Sequence, residues 1–243
     1  MTGLFRRELD GALILTLDRG GKGNALSPEL VEDLHHAIGE AEDSAVHTLV
    51  LRAEGAGFCG GLDLVGLETE TDGSLLLRLV RIELLLQRLF RLPCRTIAMA
   101  HSFAYGAGAD LFAAAQIRIA TPDLRLSFPG VKFGIALGTK RLALRMGPDA
   151  ALEALNAEGP MDAEHAHRYG LATKIASRET WPSMIERFID APPIVDRDVG
   201  LHALPRLMAA DDEADLAALV RSAARPGLKE RIMCYVATIR RKK

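Results

Sequence analysis

Very little in this chain speaks for a metal, a disulfide framework, nucleic acid or a membrane. Its three cysteines, Cys59, Cys94 and Cys234, are odd in number and widely spaced. They form no zinc-ligand pattern and suggest no disulfide set, which fits a reducing compartment. The formal charge is only −2, so there is no bulk field to gather nucleic acid. The N-terminus, Met1-Thr2-Gly3-Leu4-Phe5-Arg6-Arg7, has no apolar stretch of the secretory kind. The most apolar helical segment, Leu75 to Leu92, is interrupted by Arg78, Arg81, Glu83, Gln87, Arg88 and Arg91, too many polar groups for a bilayer span. A cytoplasmic protein without nucleic-acid or membrane partners is expected. No internal repeat or low-complexity segment is visible.

What is present is an ordinary core-forming composition, 49% hydrophobic and 26% charged over 243 residues, enough for one large or two small domains. Leu4–Leu9 and Ala12–Asp18 read as strands joined by the hairpin signal Asp10-Gly11. Ser27 and Pro28 supply an N-cap and a first-turn proline for a helix carrying Leu30, Leu34, Ala37, Ile38 and Ala41. Strands are expected at Val46–Arg52, Arg95–Ala100, Gln116–Ala120 and Leu171–Ile175. Helices are expected over Ser74–Arg91, Gly108–Ala115, Thr139–Met146, Pro148–Ala157 and Asp162–Tyr169. From about Glu179 the pattern is mainly helical, interrupted at Pro192-Pro193 and Pro226-Gly227. Alternating strands and helices indicate an α/β fold. We place the boundary between an α/β core, 1–178, and a helical C-terminal region, 179–243.

Two glycine-rich loops, each following a strand, are the most informative feature. The first is Gly55-Ala56-Gly57-Phe58-Cys59-Gly60-Gly61-Leu62-Asp63-Leu64; the second is His101-Ser102-Phe103-Ala104-Tyr105-Gly106-Ala107-Gly108-Ala109-Asp110-Leu111. Glycine lets backbone approach a ligand closely. Two such loops can aim N–H groups at one point, the geometry that stabilises charge developing on a carbonyl oxygen. With Lys22-Gly23-Asn24-Ala25-Leu26, Ile117–Asp123, and Gly159–Glu164 through Tyr169–Ala172, these loops resemble, in order from about residue 12 to 175, the crotonase (enoyl-CoA hydratase/isomerase) family.

The resemblance implies a crotonase-like spiral of ββα units. Its helical C-terminal region would pack in a homotrimer, often paired into a hexamer, and cover the active site. It implies an acyl-CoA substrate, with coenzyme A entering as part of that substrate and no separate cofactor or metal. Lys22 and Ala25 would lie along the coenzyme A moiety. The oxyanion-hole donors map onto Leu62 and Gly108. Gly60, Gly61, Asp63, Leu64, Tyr105, Gly106, Pro129 and Gly130 would line the thioester site, with Asp63 fixing its loop by hydrogen bonding. Of the two glutamates that hydratases use, the first is replaced here by Asp110 and the second, in Ser127-Phe128-Pro129-Gly130, by Gly130. In the naphthoyl-CoA synthase branch a glycine at this place accompanies a bound bicarbonate, so a small anion or substrate carboxylate is expected beside Gly130. A single-carboxylate enzyme of the hydratase/isomerase type, with Asp110 as acid/base, is the reading. Its alternatives are a non-catalytic acyl-CoA-binding protein or a crotonase-fold decarboxylase, C–C hydrolase or synthase.

Other motifs carry less. Gly55-x-Gly57-x-x-Gly60 matches a dinucleotide fingerprint only formally, because bulky Phe58 and Cys59 fill the turn and the next strand begins only at Arg95. His165 and His167 diverge on a helix and would not share a metal. His101 opens the second loop and is the reserve proton carrier. Cys59 sits beside the first loop without being expected to act as a nucleophile. The Arg240–Lys243 tail reads as a solvated helix end.

Overall fold

The architecture is best followed from its most hydrophobic strands outward. In this computed structural model, which describes residues 3–191 and 211–241, β1 (Leu4–Leu9) and β2 (Ala12–Leu17) form an antiparallel hairpin. Its turn places Asp10 and Gly11 at φ 46° and 76°, the left-handed pair such a two-residue turn requires. The Pro192-Pro193 break and the two terminal lysines fall outside the described residues. Strands β3 (Thr48–Ala53), β4 (Arg95–Ala100), β6 (Ile117–Ala120) and β9 (Lys174–Ile175) add in parallel, giving a six-stranded sheet ordered β1-β2-β3-β4-β6-β9. All six residues of β2 are buried, as expected of a strand covered on both faces.

Each face of that sheet has its own cover. Leu13, Leu15 and Leu17 point to one side and pack with α1 (Pro28–Asp43), α2 (Asp72–Arg91) and α3 (Ala107–Ala114). Ala12, Ile14, Val50, Ile97 and Ile119 point to the other, against Trp181, Met184, Ile185 and Ile189 of α7 (Trp181–Asp190). Each leucine or isoleucine fully buried this way contributes about 1.5–3 kcal/mol. Although it follows residue 178, α7 therefore packs on the sheet.

A second sheet was not foreseen. β5 (Phe103–Tyr105), β7 (Arg125–Ser127) and β8 (Met161–Asp162) pair in the order β5-β7-β8, and single bridges, Cys59 to Ala104 and Leu26 to Leu62, extend its pattern to the loops. Two or three residues are too few to show a strand period. Each turn of the chain thus lays one strand in the large sheet, then one short extended piece in this smaller layer. The remaining helices are α4 (Thr139–Met146), α5 (Pro148–Asn156), α6 (Ala163–Arg168), α8 (Asp212–Ala223) and α9 (Leu228–Arg241).

The last two helices fold back on their own chain. Leu219, Ala223, Leu228 and Ile232 join Leu75 and Leu79 of α2 in a third apolar cluster. Asp72, at the start of α2, accepts the Gly227, Leu228 and Lys229 N–H groups and caps α9. Leu219 of α8 is fully buried inside the chain.

Candidate active site

The two glycine loops are sewn together by backbone. Phe58 and Tyr105 N–H donate to the Phe103 and Cys59 carbonyls, each at 2.9 Å, and Gly106 N–H donates to Ser127 at 2.8 Å. A third strip, 22–26, zips onto the first loop: Gly60 N–H donates to Gly23 O at 2.8 Å, Leu26 N–H to Gly61 O at 2.7 Å, and Asp63 N–H to Leu26 O at 3.1 Å. Asn24 is the staple. Buried and left-handed at φ 53°, it accepts from Arg19 N–H at 2.7 Å and donates to the Glu54 and Gly57 carbonyls, both at 2.8 Å. Asparagine tolerates that conformation better than most residues, so the motif's Asn has a backbone reason.

Contact between the loops needs Gly61. It sits at φ 89°, and a Cβ there would stand 2.5 Å from the Tyr105 carbonyl oxygen and 3.3 Å from the Ala107 nitrogen. Among the described residues, neither Leu62 nor Ala107 N–H has a hydrogen-bond partner. Ala107 is the first residue of α3, where N–H groups have no intrahelical acceptor and the helix end attracts negative charge. Both residues line a cavity of about 480 Å³. The cavity is walled mainly by apolar groups, among them Leu64, Leu79, Ile135, Leu137, Ile232 and Val236, so α2 and α9 help to enclose it.

Asp110 lies one turn into α3, borders the same cavity and is 4% exposed. Its Oδ1 is buried and has no partner. Burial raises its carboxyl well above the usual range; Arg141 opposes that shift and Glu83 adds to it. Gly138, at the start of α4 with φ 66°, makes the room: a Cβ there would be 2.0 Å from Asp110 Oδ1. Behind it, Arg141 of α4 donates to both oxygens of Glu83 on α2, at 2.9 and 2.5 Å, with both side chains almost wholly buried. Gln87 donates to the same Glu83, and Asp215 of α8 stands 3.8 Å from Arg141. None of Gly138, Arg141 or Glu83 was singled out from sequence; Glu83 was read only as a charge breaking an apolar run. The signal available was a pair of unlike charges on apolar helices, visible only once α2 and α4 are known to face each other.

The remaining expected residues divide. Gly60, Gly61, Leu62, Leu64, Tyr105, Gly106, Pro129 and Gly130 line the cavity with Asp110. Gly108 does not: a Cβ on it would be 2.4 Å from the Cys59 carbonyl oxygen, so it is the packing contact between the loops. Its neighbour Ala107 faces the cavity in its place, one residue earlier in register. Asp63 is turned to Arg19, which donates to it at 2.7 Å, and to Val65 N–H at 3.0 Å. Lys22 is exposed and Ala25 half-buried, both off the cavity, and the Ala25 carbonyl accepts a hydrogen bond from Arg19. A Cβ on Gly130 would stand 3.2 Å from the Ile135 carbonyl oxygen, a tight contact. His101 is not in the cavity; it contacts Gly55 O at 3.1 Å and the Trp181 ring, and burial lowers its pKa. It is thereby removed as a reserve proton carrier. Burial pushes the Cys59 thiol up to about 12, leaving no thiolate for nucleophilic attack. Among the described residues no cluster of metal-ligating side chains occurs and no helix is long and apolar enough to cross a membrane.

Spiral, paired loops and enclosed apolar chamber together define the fold class, and known structures share it. A Bordetella parapertussis protein provisionally named enoyl-CoA hydratase/isomerase superposes with a TM-score of 0.93 at 42% identity, over 97% of this chain and 98% of that one. Enoyl-CoA hydratase from Bacillus halodurans shares the fold with a TM-score of 0.81 at 22% identity, over 96% and 99% of the two chains. In sequence, the Mycobacterium bovis protein named "Probable enoyl-CoA hydratase echA6" is 30% identical over 186 residues, 74% of each chain. The enoyl-CoA hydratase/isomerase family model matches residues 8–197. The chain belongs to the enoyl-CoA hydratase/isomerase family.

Proposed function

We propose that this protein is an enzyme acting on acyl-CoA thioesters. In this reading the thioester oxygen sits between the N–H groups of Leu62 and Ala107 and Asp110 moves the proton. The observation that carries it is that Leu62 and Ala107, each with an unpartnered N–H, and Asp110, with an unpartnered buried carboxyl oxygen, all line one largely apolar cavity. Charge forming on the thioester oxygen would meet fixed dipoles in a dry site, where each is worth about 3–4 kcal/mol. The enolate forms when water adds at Cβ of an enoyl thioester, or, in a double-bond shift, when Asp110 in its ionised form takes a proton from the substrate and returns it two carbons further on. A neutral carboxyl can give a proton to Cα from one oxygen while the other takes the proton of the attacking water, so one group can serve both ends.

Names carried by relatives, enoyl-CoA hydratase and enoyl-CoA hydratase/isomerase, support this class of substrate. A second reading, an acyl-CoA-binding protein without turnover, draws on one observation: glycine stands at 130, where a two-carboxylate hydratase has its second acid.

Ala107→Pro is the cleanest test. Proline is tolerated at the first helical position, so the helix should persist while the N–H is lost and the ring carbon bonded to nitrogen takes its place. Turnover of an enoyl-CoA should fall by about 10²–10³-fold, whereas Gly108→Pro should chiefly lower stability. Calorimetry with a non-reactive acyl-CoA and with NAD supplies the binding half. Affinity for NAD alone would end the proposal, and acyl-CoA binding without turnover of any enoyl-CoA tried would favour the second reading.

A further inference from the structure

We infer that Glu83 is a positioning residue for Asp110: by taking both arms of the Arg141 guanidinium, it withholds the nearest positive charge and keeps Asp110 a neutral acid in the resting protein. The geometry is specific. Asp110 is pressed against Gly138, the residue that opens α4, and Arg141 follows one helical turn later on the same helix. An arginine so placed would ordinarily pair with a nearby carboxylate and ionise it. Here the guanidinium is turned instead toward α2, making a two-armed contact with Glu83, and Asp215 on α8 adds a second carboxylate at 3.8 Å. Asp110 Oδ1 is left with no donor at all.

The groups acting on Asp110 come from three helices: Arg141 from α4, Glu83 from α2 and, through Arg141, Asp215 from α8. Two carboxylates against one guanidinium leave no surplus positive charge to stabilise an Asp110 anion. A buried pair is seldom retained for stability alone, since desolvation offsets much of its attraction. A role in setting the charge of an adjacent acid accounts for its presence at the junction of α2, α4 and α8. It also gives α8 a part in the site without touching substrate.

The inference rests on Asp110 being the reactive acid, yet it is tested on the proton of Asp110 itself, so absence of turnover would leave it standing. Infrared difference spectra over a pH series read the carboxylic-acid band of Asp110, assigned by its loss in Asp110→Asn. In the wild type this band should persist at neutral pH. Glu83→Gln frees Arg141 to act on Asp110, and the band should then disappear about one pH unit or more lower. Asp215→Asn, at a half-buried position, should move it in the same direction by less; if Glu83→Gln does not fold, this variant decides. Glu32→Gln, which breaks the exposed pair with Arg81, should leave it in place. Titration unchanged or shifted upward in Glu83→Gln and Asp215→Asn, or no protonated band in the neutral wild type, overturns the inference.

Discussion

Two aspartates, one beside each glycine loop, expose almost no surface, Asp63 at 6% and Asp110 at 4%, yet behave in opposite ways. Burial pushes the Asp63 carboxyl up, but the Val65 N–H and the Arg19 guanidinium outweigh it and hold the group below its ordinary value. Asp110 meets a heavier desolvation with an unpartnered oxygen and an arginine committed elsewhere, so its carboxyl rises. Depth and hydrogen bonds to the charged form act together: Asp110 is the more deeply enclosed of the two and lacks the donors that Asp63 has. A satisfied carboxylate is a structural tie; an unsatisfied one bordering a cavity is a candidate for chemistry.

If that contrast is functional, substitutions at the two sites must separate. Asp110→Asn keeps size but cannot exchange a proton, and should lower enoyl-CoA turnover by about a hundredfold or more. Acyl-CoA affinity by calorimetry should stay close to wild type, the pattern of a group used in the transition state. Full activity in this variant would make Asp110 structural. Gly138→Ala comes next. Its methyl would occupy the space of Asp110 Oδ1, at a left-handed φ of 66°, and displacing the carboxyl by about an ångström should cost roughly ten- to a hundredfold in turnover.

On the structural side, Arg19→Ala should cost about 3 kcal/mol in urea unfolding, because it leaves a buried carboxylate without its partner. Its effect on turnover should be smaller than that of Asp110→Asn; an equal loss would erase the distinction between the loops.

The finest test is the pH dependence of stability. Asp63 is lowered in the folded state, so its contribution is present above its unfolded pKa and disappears as pH falls through the folded one. The cost of Asp63→Asn should therefore shrink toward acid. Asp110 is raised, so the wild type loses stability as pH climbs from the unfolded pKa toward the folded one. Asp110→Asn removes that loss and should be the more stable protein at neutral and alkaline pH, with the gain vanishing in acid. Parallel slopes for the two variants would refute the comparison.

The sequence by itself determined the α/β spiral, the family, and the two loops. Hairpin turn, Ser27 cap and the strands from Thr48 and Arg95 are written in local pattern, where neighbours along the chain decide conformation. Glycines and the Asn24 motif likewise announce close backbone approach. Register within the second loop was not legible: Gly108 is the glycine that draws the eye, but it packs on Cys59, and Ala107 is the residue that lines the cavity. The partners of Asp63 and Asp110 were hidden for the same reason. Arg19 is 44 residues from Asp63, and Glu83 is 58 residues from Arg141. A hydrogen bond or an ion pair depends on distances of a few ångströms, and only the packing of α2, α4 and the two loops brings those groups within reach. Tertiary structure alone therefore decided which aspartate is tied by hydrogen bonds and which borders the cavity with an unpartnered oxygen.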